Sequence, residues 1–85
     1  MEIRTHGLTA VSIGKILEGI SKLTFWDYGI FGPKGGRKRK PSFRIDYEYY
    51  YNRTTILFIN MNEELFRKVA EILIRNGVNY TIREK

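Results

Sequence analysis

Residues 42–61 read SFRIDYEYYYNRTTILFINM, and the way this stretch pairs with itself decides the fold. Its first half alternates. Phe43, Ile45, Tyr47 and Tyr49 fall on one side of an extended chain, and Arg44, Asp46, Glu48 and Tyr50 fall on the other, the two-residue period of a half-buried strand. Asn52-Arg53 marks a tight turn. Beyond it, TTILFINM has an uninterrupted apolar centre, which predicts a strand buried on both faces and central in its sheet.

Working outward, residues 23–31, LTFWDYGIF, are aromatic and β-branched and read as one strand, ended by Gly32-Pro33. Before it, Thr9 can cap a helix whose Ile13, Ile16, Leu17, Ile20 and Leu23 recur at spacings of three and four. MEIRTH alternates as a short first strand. On the other side, Asn62 caps a second helix with Glu63 and Glu64 at the positive end of its dipole and Leu65, Phe66, Val69, Ala70 and Leu73 facing inward. Arg75-Asn76-Gly77 is a helix stop with Val78 beyond it, and VNYTIRE alternates as a last strand.

The expected fold class is α/β (α+β): a two-layer sandwich, β-α-β-β-β-α-β, with a mainly antiparallel sheet and two helices on one face. The helices should cover the face bearing Ile3, Phe43, Ile45, Tyr47, Tyr80 and Ile82. The other face, with Arg4, His6, Arg44, Asp46, Glu48, Tyr50, Thr81 and Arg83, should be exposed and mixed in charge.

At 85 residues the chain suits one domain, 1–85, and a 42% hydrophobic composition is sufficient for a core. No cysteine occurs and His6 is the sole histidine, so disulfides and thiolate metal sites are excluded and no cofactor is expected. Charges scattered through the first nineteen residues argue against a signal peptide or membrane span, so the expected setting is intracellular, cytoplasmic and soluble. Abundant Ile, Tyr, Lys, Arg and Glu, with no Gln, lean toward a thermophilic source. The Asn52-Arg53-Thr54 and Asn79-Tyr80-Thr81 triplets match the glycosylation pattern, which has no consequence without secretion.

Charge is the main functional signal. Residues 31–43, FGPKGGRKRKPSF, hold Lys34, Arg37, Lys38, Arg39 and Lys40, and removing those five from a chain of net charge +6 leaves +1. The excess is therefore local, in a flexible hairpin loop at 32–41, and a local excess makes a directed field for a polyanion. Five cations beside glycines that admit close backbone approach suit phosphate neutralisation. The expected function is binding of nucleic acid, DNA before RNA, through the phosphate backbone, with Arg44 and Tyr50 as auxiliaries. In a eukaryote, GRKRKP also reads as a nuclear-localisation segment.

Other readings stay open. The loop could be a solvated connection or meet an acidic protein. Tyr28, Tyr50, Tyr51 and Arg53 could furnish a protein-protein or inhibitor surface, or a homodimer contact. An enzyme is the lesser alternative. The order from the first helix onward is also that of the restriction-endonuclease-like core, where strand carboxylates hold Mg²⁺. Glu18, Asp27, Asp46 and Glu48 are the candidates, with Asp46 and Glu48 on one face and Asp27 on the preceding strand. Glu48, however, occupies the position where that core usually carries lysine. There is no Walker-type phosphate loop. The double-stranded-RNA-binding fold places lysines at its final helix, where this chain has Asn62-Glu63-Glu64.

Overall fold

The computed structural model describes every residue except 21, 28, 37, 39, 61 and 85. The elements are β1 (Glu2–His6), α1 (Ala10–Leu17), β2 (Leu23–Asp27), β3 (Ile30–Pro33), β4 (Phe43–Glu48), a 3₁₀ turn (Tyr49–Tyr51), β5 (Arg53–Phe58), α2 (Glu63–Arg75) and β6 (Tyr80–Arg83). The fold is α+β: one six-stranded sheet in the order β2-β3-β4-β5-β1-β6, antiparallel at every pairing, with two helices.

The pairing expected from residues 42–61 is present. β4 and β5 run antiparallel from Phe43 opposite Phe58 to Glu48 opposite Arg53, and β5 lies inside the sheet between β4 and β1. Its Thr54, Thr55, Ile56 and Phe58 are all buried, as a central strand requires. Ile3, Phe31, Phe43, Ile45, Ile56 and Phe58 from the sheet meet Ile13, Leu17, Val69 and Leu73 from the helices in one buried cluster.

A row of rings runs through this core beneath the basic segment. Phe25, Phe31, Phe43 and Phe58 stand opposite one another on β2 to β5, with successive centroids 5.5, 5.0 and 5.8 Å apart, and Phe66 of α2 continues the row at 5.5 Å. Such pairs each add about 0.5–1.5 kcal/mol beyond burial, so the row fixes the register of the two strands that carry the loop.

The helix ends follow from their capping residues. Thr9 Oγ1 accepts the Ser12 N–H at 3.3 Å, and Asn62 Oδ1 accepts those of Glu64 and Leu65 at 2.9 and 3.2 Å. At the far end of α2, Gly77 adopts φ +70°, its N–H meets the Ile74 carbonyl, and the Val78 N–H meets that of Leu73 at 2.9 Å. This motif satisfies orphan carbonyls while burying Val78.

Four local expectations are corrected. Residues 23–31 form two strands, because Gly29 at φ +78° reverses the chain so close to β4 that a Cβ there would sit 2.6 Å from the Ile45 carbonyl oxygen. The first helix stops at Leu17: Gly19 and Ile20 donate three residues back to Ile16 and Leu17, and Lys22 at φ +70° turns the chain into β2. Ile20 and Leu23 are buried, but from outside the helix. β4 ends at Glu48, so Tyr50 lies on the 3₁₀ turn rather than on the open face beside Arg44, with Asn52 at φ +45° closing that turn. Finally, Ile82 is 47% exposed, because β6 is an edge strand.

Candidate nucleic-acid interface

The basic segment joins β3 to β4, and both of its roots are fixed. On the entry side the Lys34 N–H donates to the Lys22 carbonyl at 3.2 Å, extending the β2–β3 ladder past its last strand pair, and the Gly36 N–H closes a turn on the Pro33 carbonyl at 3.0 Å. On the exit side the Ser42 N–H donates to the Phe31 carbonyl at 2.8 Å, and Asn60 Nδ2 to the Pro41 carbonyl at 2.7 Å. The loop thus starts and ends on a hydrogen-bonded base, as binding loops on a scaffold do.

Lys34, Lys38 and Lys40 are exposed on this loop, whereas Arg37 and Arg39 lie outside the described residues. Lys22 joins them from across the β2–β3 hairpin. Sequence reading missed it, because a charge count along the chain does not see a residue brought in by a turn; the Gly29 reversal was the available signal. Lys22, Lys34, Lys38 and Lys40 make no ion pair with any described residue.

Arg44, the second residue of β4, stands close to the loop root, but it is engaged. Its Nε and Nη2 donate to Asp46 Oδ2 at 3.2 and 3.0 Å, and both side chains are about half exposed. Tyr50 is 95% exposed at the other end of β4. Six strand residues separate the two ends, about 20 Å at 3.3 Å per residue. The loop and Tyr50 are therefore two separate surfaces.

The tyrosine turn is itself well fixed. Tyr49, Tyr50 and Tyr51 are 81, 95 and 69% exposed, while the Tyr47 hydroxyl bonds Asn52 Oδ1 at 2.8 Å and the Arg53 guanidinium lies 5.1 Å from the Tyr51 ring centre. Arg53 also grips Glu48 through two hydrogen bonds, at 3.2 and 2.6 Å. Those bonds hold the Glu48 carboxyl below its ordinary value and the Arg53 guanidinium above its own.

The carboxylates do not converge. Asp46 faces Arg44, Glu48 faces Arg53, and β3 stands between β2, which carries Asp27, and β4. No group of three acidic or metal-ligating side chains suited to a metal ion occurs among the described residues. The open face instead pairs its charges along and across strands, including Glu2 with Arg4 at 3.1 Å. Among the described residues no helix is long and apolar enough to cross a membrane.

Two concavities flank the loop base. One, toward α2, is lined by Lys22, Leu23, Pro33, Ser42, Glu64 and Lys68 and so mixes charge. The other, toward the β2 edge, is lined among the described residues by Thr24, Phe25, Trp26, Gly35 and Gly36, none of them a carboxylate. Trp26, also absent from the sequence-based site, is held there: its Nε1 donates to the Pro33 carbonyl at 3.4 Å and its ring lies against Gly32. An apolar groove elsewhere, between α1 and β2–β4, is lined by Ala10, Val11, Phe25, Phe31 and Ile45 together with Lys15 and Glu18, and by none of Lys22, Lys34, Lys38 and Lys40.

Compared with known protein families, with curated proteins and with solved structures, the chain matches none.

Proposed function

We propose that the protein binds nucleic acid, with DNA the expected form, by its phosphate backbone. The observation that carries this reading is the gathering of Lys22, Lys34, Lys38 and Lys40 at one end of the sheet on a pinned base, with no carboxylate partner among the described residues. Clustered exposed cations raise the local concentration of a polyanion, and their pairing with phosphates releases counterions on binding. Backbone recognition of this kind gives affinity with little sequence discrimination. Arg44 contributes only by sharing its guanidinium with Asp46, and Tyr50 lies outside this patch.

The test is a titration of wild type, and of a variant with Gln at 34, 37, 38, 39 and 40, against duplex DNA, single-stranded DNA and RNA. The reading requires tight binding by wild type and a large loss in the variant. Equal affinities contradict it.

A second reading rests on the tyrosine turn. Three exposed rings on a closed turn, one of them against an arginine, have the composition of a protein-binding hot spot. Under this reading a protein partner, or a second copy of the chain, is retained in a pull-down after nuclease treatment and lost on Tyr50→Ala. Loss on nuclease treatment alone returns the interaction to nucleic acid.

A further inference from the structure

Resting on the nucleic-acid reading above, we propose that the preferred ligand is single-stranded, with an unpaired base seated in the cleft between Trp26 and the Gly35-Gly36 turn. The cleft, of about 370 Å³, is lined by Thr24, Phe25, Trp26, Gly35 and Gly36. One of its walls is aromatic: the indole of Trp26 is anchored at Nε1 and backed by Gly32, while the ring of Phe25, the preceding residue, turns to the helix face and packs edge-on against Phe31. Gly35 and Gly36 also line the cleft, and neither adds a side chain to it.

Charge is placed to match. Lys34 precedes Gly35 directly, and its N–H is bonded to the Lys22 carbonyl, so the backbones of two exposed lysines meet beside the cleft. Thr24 adds a hydroxyl to the lining. An aromatic ring beside a cationic track is the arrangement that binds single strands with little sequence preference, each stacked base contributing about 1–3 kcal/mol. A duplex, whose bases are already stacked, gains only the pairing of lysines with phosphates.

Trp26 is the only tryptophan in the chain, so emission excited selectively at tryptophan, away from the six tyrosines, reports on this cleft. Wild type is titrated with an oligothymidylate single strand, a DNA duplex of equal length, and inorganic polyphosphate, which carries charge without bases. The single strand is expected to quench Trp26 and to bind about tenfold tighter than the duplex, the equivalent of one stacked base. Polyphosphate is expected to bind with emission unchanged. Trp26→Leu should remove the single-strand preference and Trp26→Phe largely retain it, both keeping wild-type affinity for polyphosphate as evidence of an intact loop base.

Duplex binding equal to single-strand binding, or equal quenching by polyphosphate, overturns the inference and leaves the proposed function standing. Failure to bind any of the three overturns both. If the Leu variant does not fold, the wild-type quenching and affinity comparison decides alone.

Discussion

The backbone N–H of Lys34 donates to the carbonyl of Lys22 across 3.2 Å, placing side by side two lysines that the sequence separates by a whole hairpin. Lys22 holds φ +70°, a conformation in which a side chain is strained and glycine is not. Strain of this kind persists only where its surroundings enforce it, and here it coincides with the cationic patch.

Stability and binding should therefore separate at Lys22. In Lys22→Gly, relief of the left-handed strain offsets the greater entropy of glycine in the unfolded chain, so the melting temperature should stay within a few degrees of wild type. Affinity for nucleic acid should fall, with the salt slope reduced by about 0.9 on duplex DNA and about 0.7 on a single strand for the one phosphate that Lys22 neutralises. Thermal melts and salt-dependent titrations of the same sample check both.

Gly32→Ala should disturb the hairpin that carries the loop. A Cβ at this position would enter the Trp26 ring, so the indole must move or the strands part. Overpacking of this type costs roughly 1–3 kcal/mol. Denaturant unfolding should show that loss, together with a shifted tryptophan emission in the native state. An unchanged spectrum would contradict the packing of Trp26 on Gly32.

The Glu48–Arg53 pair gives a pH dependence of definite sign. Hydrogen bonding to Arg53 lowers the folded-state pKa of Glu48 from an ordinary value of 4.5. Between the folded and unfolded values the unfolded chain binds more protons, so the stabilisation is present above 4.5 and is lost as pH falls through the folded value. Unfolding curves for wild type and Glu48→Gln should differ most near neutral pH and converge in acid. A gap that stays constant across this range would contradict the assignment.

Asn62→Ala removes the oxygen that accepts two N–H groups at the start of α2. The expected loss is about 1 kcal/mol by chemical denaturation, with the α2 turns nearest the cap showing the greatest gain in hydrogen exchange.

Much of the architecture was legible in residue patterns. The alternation of Phe43, Ile45 and Tyr47, the apolar centre of β5, and the caps Thr9 and Asn62 each name a local structure by a local mechanism. What was missed lay where one residue overrides a pattern. Gly29 reverses a chain whose neighbours all favour extension, and Tyr49–Tyr51 close a turn although their side chains suit a strand. The site suffered from the same limitation. Lys34, Lys38 and Lys40 were visible as a run, but Lys22 and Trp26 reach the loop only through the β2–β3 hairpin, and Tyr50 left it when β4 stopped at Glu48.

The central claim is that cations at this end of the sheet neutralise phosphates. Its most direct test is the slope of log affinity against log salt for single- and double-stranded DNA, measured for wild type and for a variant with Gln at 22, 34, 37, 38, 39 and 40. Wild type should show a steep dependence that flattens by up to about 5 in the variant on duplex DNA, at about 0.9 for each phosphate that is no longer neutralised. The same slope in both proteins would contradict it.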